Sequence, residues 1–208
     1  SVSQNKLVKM PPADIAAIVD TLDRHTTTAL LQGFDNVALA DTLEESSPEL
    51  QASILSNMNP ERAADILEEM DPDEAADVLA DLPNRTSEAL LDLMEQDEAH
   101  DVLTLLNYPE DTAGGIMTTE FAFIPDHLST REAIDYLRHS EDAQEDEVMY
   151  YVHILDEAHR LKGIVTLRDL VMSHPEEKLD KWEESDEIFV EPLTPQKEVA
   201  YLIAKYDL

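Results

Sequence analysis

The residues with the clearest chemical potential in this sequence are carboxylates set at a fixed period. Asp41, Asp65, Asp77 and Asp101 each occupy the sixth place of a twelve-residue unit, beside an apolar stripe. Asp73 and Asp77 are four apart, which puts them on one face of a helix with about 5–6 Å between their Cβ atoms. From Pro60 to Asp101 fifteen acids are balanced only by Arg62 and Arg85, a net of −13 in 42 residues. Like charges at that density oppose compaction unless cations neutralise them. Hard divalent ions take oxygen ligands, and Mg2+ uses one or two carboxylates while keeping several waters. The same residues also read as a solvated acidic face that keeps the chain soluble, and composition alone leaves both readings open.

A second place for chemistry is Gly163-Ile-Val-Thr-Leu-Arg-Asp169. A strand ends there, Thr166 can cap the next helix, and Asp169 falls at its third position. Capping alone accounts for Thr and Asp at that spacing. The functional reading is a helix N-terminus that faces a phosphate or ribose, with Tyr150 or Tyr151 as an aromatic wall. No enzyme signature accompanies it: the chain has no Gly-rich phosphate loop, no nucleophile elbow and no paired-His helix motif. The seven histidines are scattered without ligand spacing, and the absence of cysteine removes disulfides, thiolate zinc sites and iron–sulfur clusters.

The elements that carry these residues follow from periodicity. From Pro12 the first half divides into eight units of twelve, starting at residues 12, 24, 36, 48, 60, 72, 84 and 96. The eighth position is aliphatic throughout (Val19, Leu31, Leu43, Leu55, Leu67, Leu79, Leu91, Leu103). Positions 4, 7, 8 and 11 make one helical stripe, interrupted by Thr27, Thr42, Ser46, Gln51 and Ser87. Asn59 and Asp71 each precede a Pro, the pattern of an N-cap followed by Pro at the first helical position. Helices of about nine residues do not survive alone in water, so the units must bury one another's stripes. The expected architecture is a mainly α domain, a short-helix α-solenoid of twelve-residue repeats.

The second half has another composition. Ten of the eleven aromatic residues lie from Tyr108 onward, and Gly114-Gly115 punctuates the boundary. Phe121–Ile124, Met149–Leu155 and Arg160–Val165 read as strands. Thr130–His139 and Thr166–Met172 read as helices. Ile188–Val190 and Thr194–Tyr206 then open a second strand–helix unit whose closing strands do not follow. The expected division is an extension over 1–10, the helical repeats over 11–107, a junction over 108–119, an α/β module over 120–183 and the start of a second over 184–208.

The full chain has 208 residues with 14 Lys or Arg and 47 Asp or Glu, a formal charge of −33. At 43% hydrophobic it has enough apolar material for a core. No apolar run reaches the 18 or so residues of a membrane span, and residues 1–10 lack the core of a signal peptide. A surface this acidic repels phosphate backbones, so nucleic acid is not expected as a partner.

Pro109-Glu-Asp-Thr-Ala-Gly-Gly-Ile-Met-Thr-Thr-Glu120, after a ladder of short acidic helices and before Tyr150-Tyr151-Val152 and Leu167-Arg-Asp-Leu170, resembles the cytosolic region of MgtE-type magnesium transporters. The likeness runs from about residue 11 to 208, and the Gly163–Asp169 run resembles the signature of CBS domains. The resemblance implies a helical N domain and a CBS pair, its second member truncated, on the cytoplasmic side of the inner membrane. It further implies a homodimer through the CBS domains and a transmembrane channel elsewhere in the same chain; no enzymatic activity is expected, since no nucleophile, metal triad or cofactor loop can be assembled from the sequence. The implied function is sensing of intracellular Mg2+, which binds between acidic N-domain and CBS surfaces and favours the closed pore. The implied metal positions are Asp73, Asp77, Asp41, Gly115 through its carbonyl, Ala204 through its carbonyl, and Asp207. Pro195 and Lys197 stand where some members place acids. Some members bind ATP between CBS modules, and Tyr151, Arg168 and Asp169 match that site; ATP is expected only where the CBS pair is complete. The competing expectations are an adenine-nucleotide-binding CBS regulator and a solenoid scaffold for a basic partner.

Overall fold

The computed structural model describes residues 9–140, 143, 150–182 and 188–206. Two compact units are formed, residues 1–119 with 191–208, and residues 120–190. Among the described residues of the first, eight helices begin at the twelve-residue period: α1 Pro12–Val19, α2 Arg24–Leu31, α3 Asn36–Glu44, α4 Pro48–Leu55, α5 Pro60–Leu67, α6 Pro72–Asp81, α7 Asn84–Leu91 and α8 Gln96–Leu106. Most stack mainly on the next but one. α1, α3, α5 and α7 form one layer, and α4, α6 and α8 close up in the other. The sequence repeats every twelve residues, but the packing repeats every two helices.

The eighth-position stripe forms the core: Val19, Leu31, Leu43, Leu55, Leu67 and Leu79 are all buried. Leu103, on the last helix of the stack, is 45% exposed. Three of the polar interruptions are absorbed by carbonyls within reach. Thr42 donates to the Ala38 carbonyl, Ser46 to that of Thr42, and Gln51 Nε2 to that of Leu43. A buried polar group bonded in this way avoids its desolvation cost.

Helix starts are held by two devices. Asn59 caps α5 by accepting the Arg62 N–H at 3.0 Å, and Asp35 caps α3 through Ala38 in the same way. Asp71 and Glu95 make no side-chain cap to their own helices. Their N–H groups donate instead to Glu44, at 2.9 Å, and to Glu68. Ser47 Oγ bonds Asp20 across the same interval of 27 residues. The ninth residue of one unit therefore fastens the entry of the third helix further on.

The second unit holds a three-stranded sheet of β1 Phe123–Pro125, β2 Tyr151–Leu155 and β3 Leu161–Thr166, with β2 in the centre. β1 runs parallel to β2, and β2 antiparallel to β3. α9 Thr130–Leu137 crosses between β1 and β2, and α10 Leu167–Met172 follows β3. Alternation sends Val152, Ile154 and Val165 into a core with Ile124, Ala133, Leu137, Leu170 and Leu179, while Tyr151 and Ile164 point outward. A capping box of Ser129 and Glu132 starts α9. The β2–β3 turn is closed by Asp156, whose Oδ1 accepts the N–H groups of Ala158 and Arg160. His159 takes the left-handed conformation there, φ 54°.

Two expectations change. Met149 lies outside the described residues, and Tyr150 precedes the strand, so β2 begins at Tyr151. Ile188–Val190 is irregular rather than a strand: no neighbouring strand pairs with it among the described residues, and Phe189 is 82% exposed. The helix expected over 194–206 is α11, Gln196–Tyr206.

Candidate functional site

The acidic site is built where α6 meets the junction that follows α8. Pro72 starts α6, so Asp73 and Glu74 fall in its first turn and Asp77 one turn later. The junction folds back through a 3-10 turn at Ala113–Gly115. The start of α11 locks it in place. Ala113 and Gly114 donate to the carbonyls of Thr194 and Pro192, and Gln196 N–H donates to that of Asp111, all at 2.7–2.8 Å. Both glycines are required by close approach. A Cβ on Gly115 would lie 2.4 Å from the Pro109 carbonyl oxygen, and one on Gly114 would lie 2.5 Å from the Tyr108 ring.

Two neighbouring cavities result. One, of about 330 Å³, is lined by Asp73, Asp77, Glu110, Asp111 and Gly115. The other, of about 300 Å³, is lined by Glu44, Glu74, Asp77, Asp81, Glu110 and Gly115, with Gln196 at its edge. Asp77, Glu110 and Gly115 belong to both. Burial and mutual repulsion raise the proton affinity of this cluster. Glu44 is pushed from its ordinary 4.5 up to about 7, chiefly by burial, and by Asp71, Asp41 and Glu74; its bond from the Asp71 N–H only partly offsets this. Asp73 is raised by burial and by Asp71, partly offset by hydrogen bonds that include Thr118. Burial also raises Glu74, and Asp73, Asp77 and Asp71 add to it. Partial burial raises Asp77, and Glu110, Asp73 and Asp81 add to it. Every neighbouring charge named here is a carboxylate.

Such a cluster gains by taking up a cation or protons. A bare ion does not fit it: among the described residues no three His, Cys, Asp or Glu side chains are set to clasp one. The donor set suits a hard ion that keeps part of its water shell, since such an ion needs only one or two carboxylates and takes its other oxygens from water. The residues that could hold a hydrated ion are those lining the first cavity, Asp73, Asp77 and Glu110, beside Gly115.

The structure thus brings together Asp73, Asp77 and Gly115 of the expected set. Asp41 is half-buried on α3, one turn before Glu44, and lines neither cavity. Ala204 is exposed on α11 and lines neither; the start of α11, not its end, reaches the site. Asp207 lies outside the described residues. Glu44, Glu74 and Glu110 were not singled out from sequence. The available signal was Glu44's ninth place in its unit, shared with Asp20 and Glu68.

On the second unit, Thr166 caps α10 by accepting the Asp169 N–H at 3.1 Å, and its hydroxyl bonds the Asp169 carboxylate. Local capping therefore occupies both groups. Arg168 and Asp169 are exposed. Tyr151 is 53% exposed and meets the Tyr150 ring edge-on at 4.9 Å.

A family model described as the MgtE intracellular N domain matches residues 10–111, and one for the CBS domain matches residues 113–175. The crystal structure of the cytosolic domain of the Mg2+ channel MgtE in complex with ATP superposes with a TM-score of 0.90 at 32% identity. The match covers 99% of this chain and 83% of that one. The chain belongs to the MgtE family. The soluble part of a magnesium transporter superposes on this MgtE-family chain with a TM-score of 0.87 at 29% identity, covering 99% of this chain and 82% of that one. The magnesium transporter MgtE of Thermus thermophilus is 35% identical over 120 residues, 58% of this chain and 26% of that protein. That of Bacillus subtilis is 36% identical over 117 residues, 56% and 26%. The matched segment thus spans about a quarter of the length of these relatives. Among the described residues no helix is long and apolar enough to cross a membrane.

Proposed function

We propose that this chain is the Mg2+-sensing regulatory region of a magnesium transporter or channel, on the cytoplasmic side of the membrane, and that bound Mg2+ favours the closed state. The observation that carries this reading is the pair of cavities sharing Asp77, Glu110 and Gly115, walled by carboxylates whose ionisation is opposed by their neighbours. When bound, the ion supplies two positive charges there. Without it, Asp73, Glu74 and Asp77 on α6 repel Glu110 on the junction, and the junction is tied by three backbone bonds to the start of α11. Ion occupancy would thereby set how firmly the 191–196 segment is held against the repeats. Asp41, Ala204 and Asp207 join this proposal as additional ligand positions. The domain limits proposed with it are 11–107 for the N domain, 120–183 for the first CBS domain and 184–208 for the start of the second, with dimerisation through the CBS domains.

Calorimetry with MgCl2 tests this reading. The account expects saturable binding that Asp73→Asn with Asp77→Asn reduces at least about tenfold. Equal binding by the double variant contradicts it. A second reading is favoured by one observation, that the 32% identical structure contains ATP: Tyr151, Arg168 and Asp169 would contribute to a nucleotide site. Heat of ATP binding that is lost in Arg168→Ala supports it, and no heat at millimolar ATP contradicts it.

A further inference from the structure

The helical stack has one interruption. Among the described residues, five of the six next-but-one helix pairs pack closely, and α2 with α4 does not join them. The space left is a cavity of about 610 Å³, the size of a small-molecule site. Its apolar walls include Leu31 and Leu39, both buried, and Ile54 and Met58. Thr27 also lines it. This residue is 2% exposed, and among the described residues its hydroxyl has no hydrogen-bond partner. An unpaired buried hydroxyl is costly and is normally satisfied.

The lining also fixes the sign of charge. Asp20 and Glu49 are on it, and Arg62, the cation among its described lining residues, is committed elsewhere: Nη2 donates to the Phe34 carbonyl at 2.8 Å and Nε to Asn36 at 3.4 Å. The chain's −33 adds a field that attracts cations and repels anions. We propose that the gap between α2 and α4 is a binding site for a small organic amine with an apolar body. The amine N–H donates to Thr27 Oγ1, the apolar body fills the missing helix contact, and the rim carboxylates oppose an anionic head group.

Amide spectra of the chain titrated with benzylamine, benzyl alcohol and benzoate test this, since the ring is constant and only the head group changes. Benzylamine should shift Thr27, Leu31, Ile54 and Met58 saturably, at least about threefold more tightly than benzyl alcohol, with benzoate weakest. Thr27→Val should raise the Tm of the free protein, because it removes the unpaired hydroxyl, and weaken the amine at least about threefold. Ile54→Phe, which fills the gap, should abolish the saturable shifts. Benzoate binding as tightly as the amine, shifts scattered away from the gap, or unchanged amine affinity in Thr27→Val would each overturn the proposal.

Discussion

Glu44 serves two ends at once. Its carboxylate fastens the entry of α6 through the Asp71 N–H, yet it is pushed up to about 7 by burial and by acidic neighbours. An acid that holds its proton more tightly folded than unfolded costs stability once ionised. Stability therefore falls as pH rises from about 4.5 to about 7 through Glu44, and Asp73, Glu74 and Asp77 act in the same direction. Without divalent cations the helical unit should melt at a higher temperature near pH 5 than near pH 8. Glu44→Gln, which keeps the acceptor, should flatten that slope, and a slope unchanged by the variant would contradict the assignment. Glu132 has the opposite sign. Its bonds from Ser129, and Lys178 nearby, hold it at about 2, so its contribution is present above its ordinary 4.5 and is lost only on stronger acidification. Gly115→Ala should cost about 1–3 kcal/mol by chemical denaturation, because its Cβ meets backbone that cannot step aside. At this scale the sequence shows Asp73 and Asp77, whose relation is a helical spacing. It does not show Glu44 or Glu110, whose relation to them is made by stacking between distant segments.

At the scale of elements, short helices persist because most bury their stripe on the next but one and because their entries are fastened. Thr166→Ala removes both the cap on α10 and the bond to Asp169, and should cost about 1 kcal/mol. Thr166→Ser should restore most of it. Leu39→Ala, at a fully buried position on α3, should cost about 2–5 kcal/mol. Both are read from denaturation midpoints, and a Thr166→Ala effect near zero would leave capping without energetic content. The helix starts were legible because Pro, Asn or Asp marks the same phase of every unit but the last, and the burial phase was legible because the eighth position never varies from aliphatic. The two-layer stacking was not, since a twelve-residue period specifies each helix but not which helix covers it. Ile188–Val190 was misread for a related reason: an apolar run becomes a strand only where another strand accepts its backbone bonds.

For the whole molecule, the charge of −33 is the organising quantity. General screening by salt relieves repulsion among all 47 acids, whereas a bound dication relieves it at one place. The two are separable because a ligand bound only by the folded state stabilises it in proportion to the logarithm of its concentration over Kd. The direct test is therefore the melting temperature of the chain, near neutral pH, in MgCl2 against NaCl of equal ionic strength, for the native sequence and for Asp73→Ala with Asp77→Ala. The account predicts a larger rise in MgCl2, growing with its concentration, and largely abolished in the double variant. Equal rises in the two salts, or a Mg2+-specific rise untouched by the double variant, would contradict it.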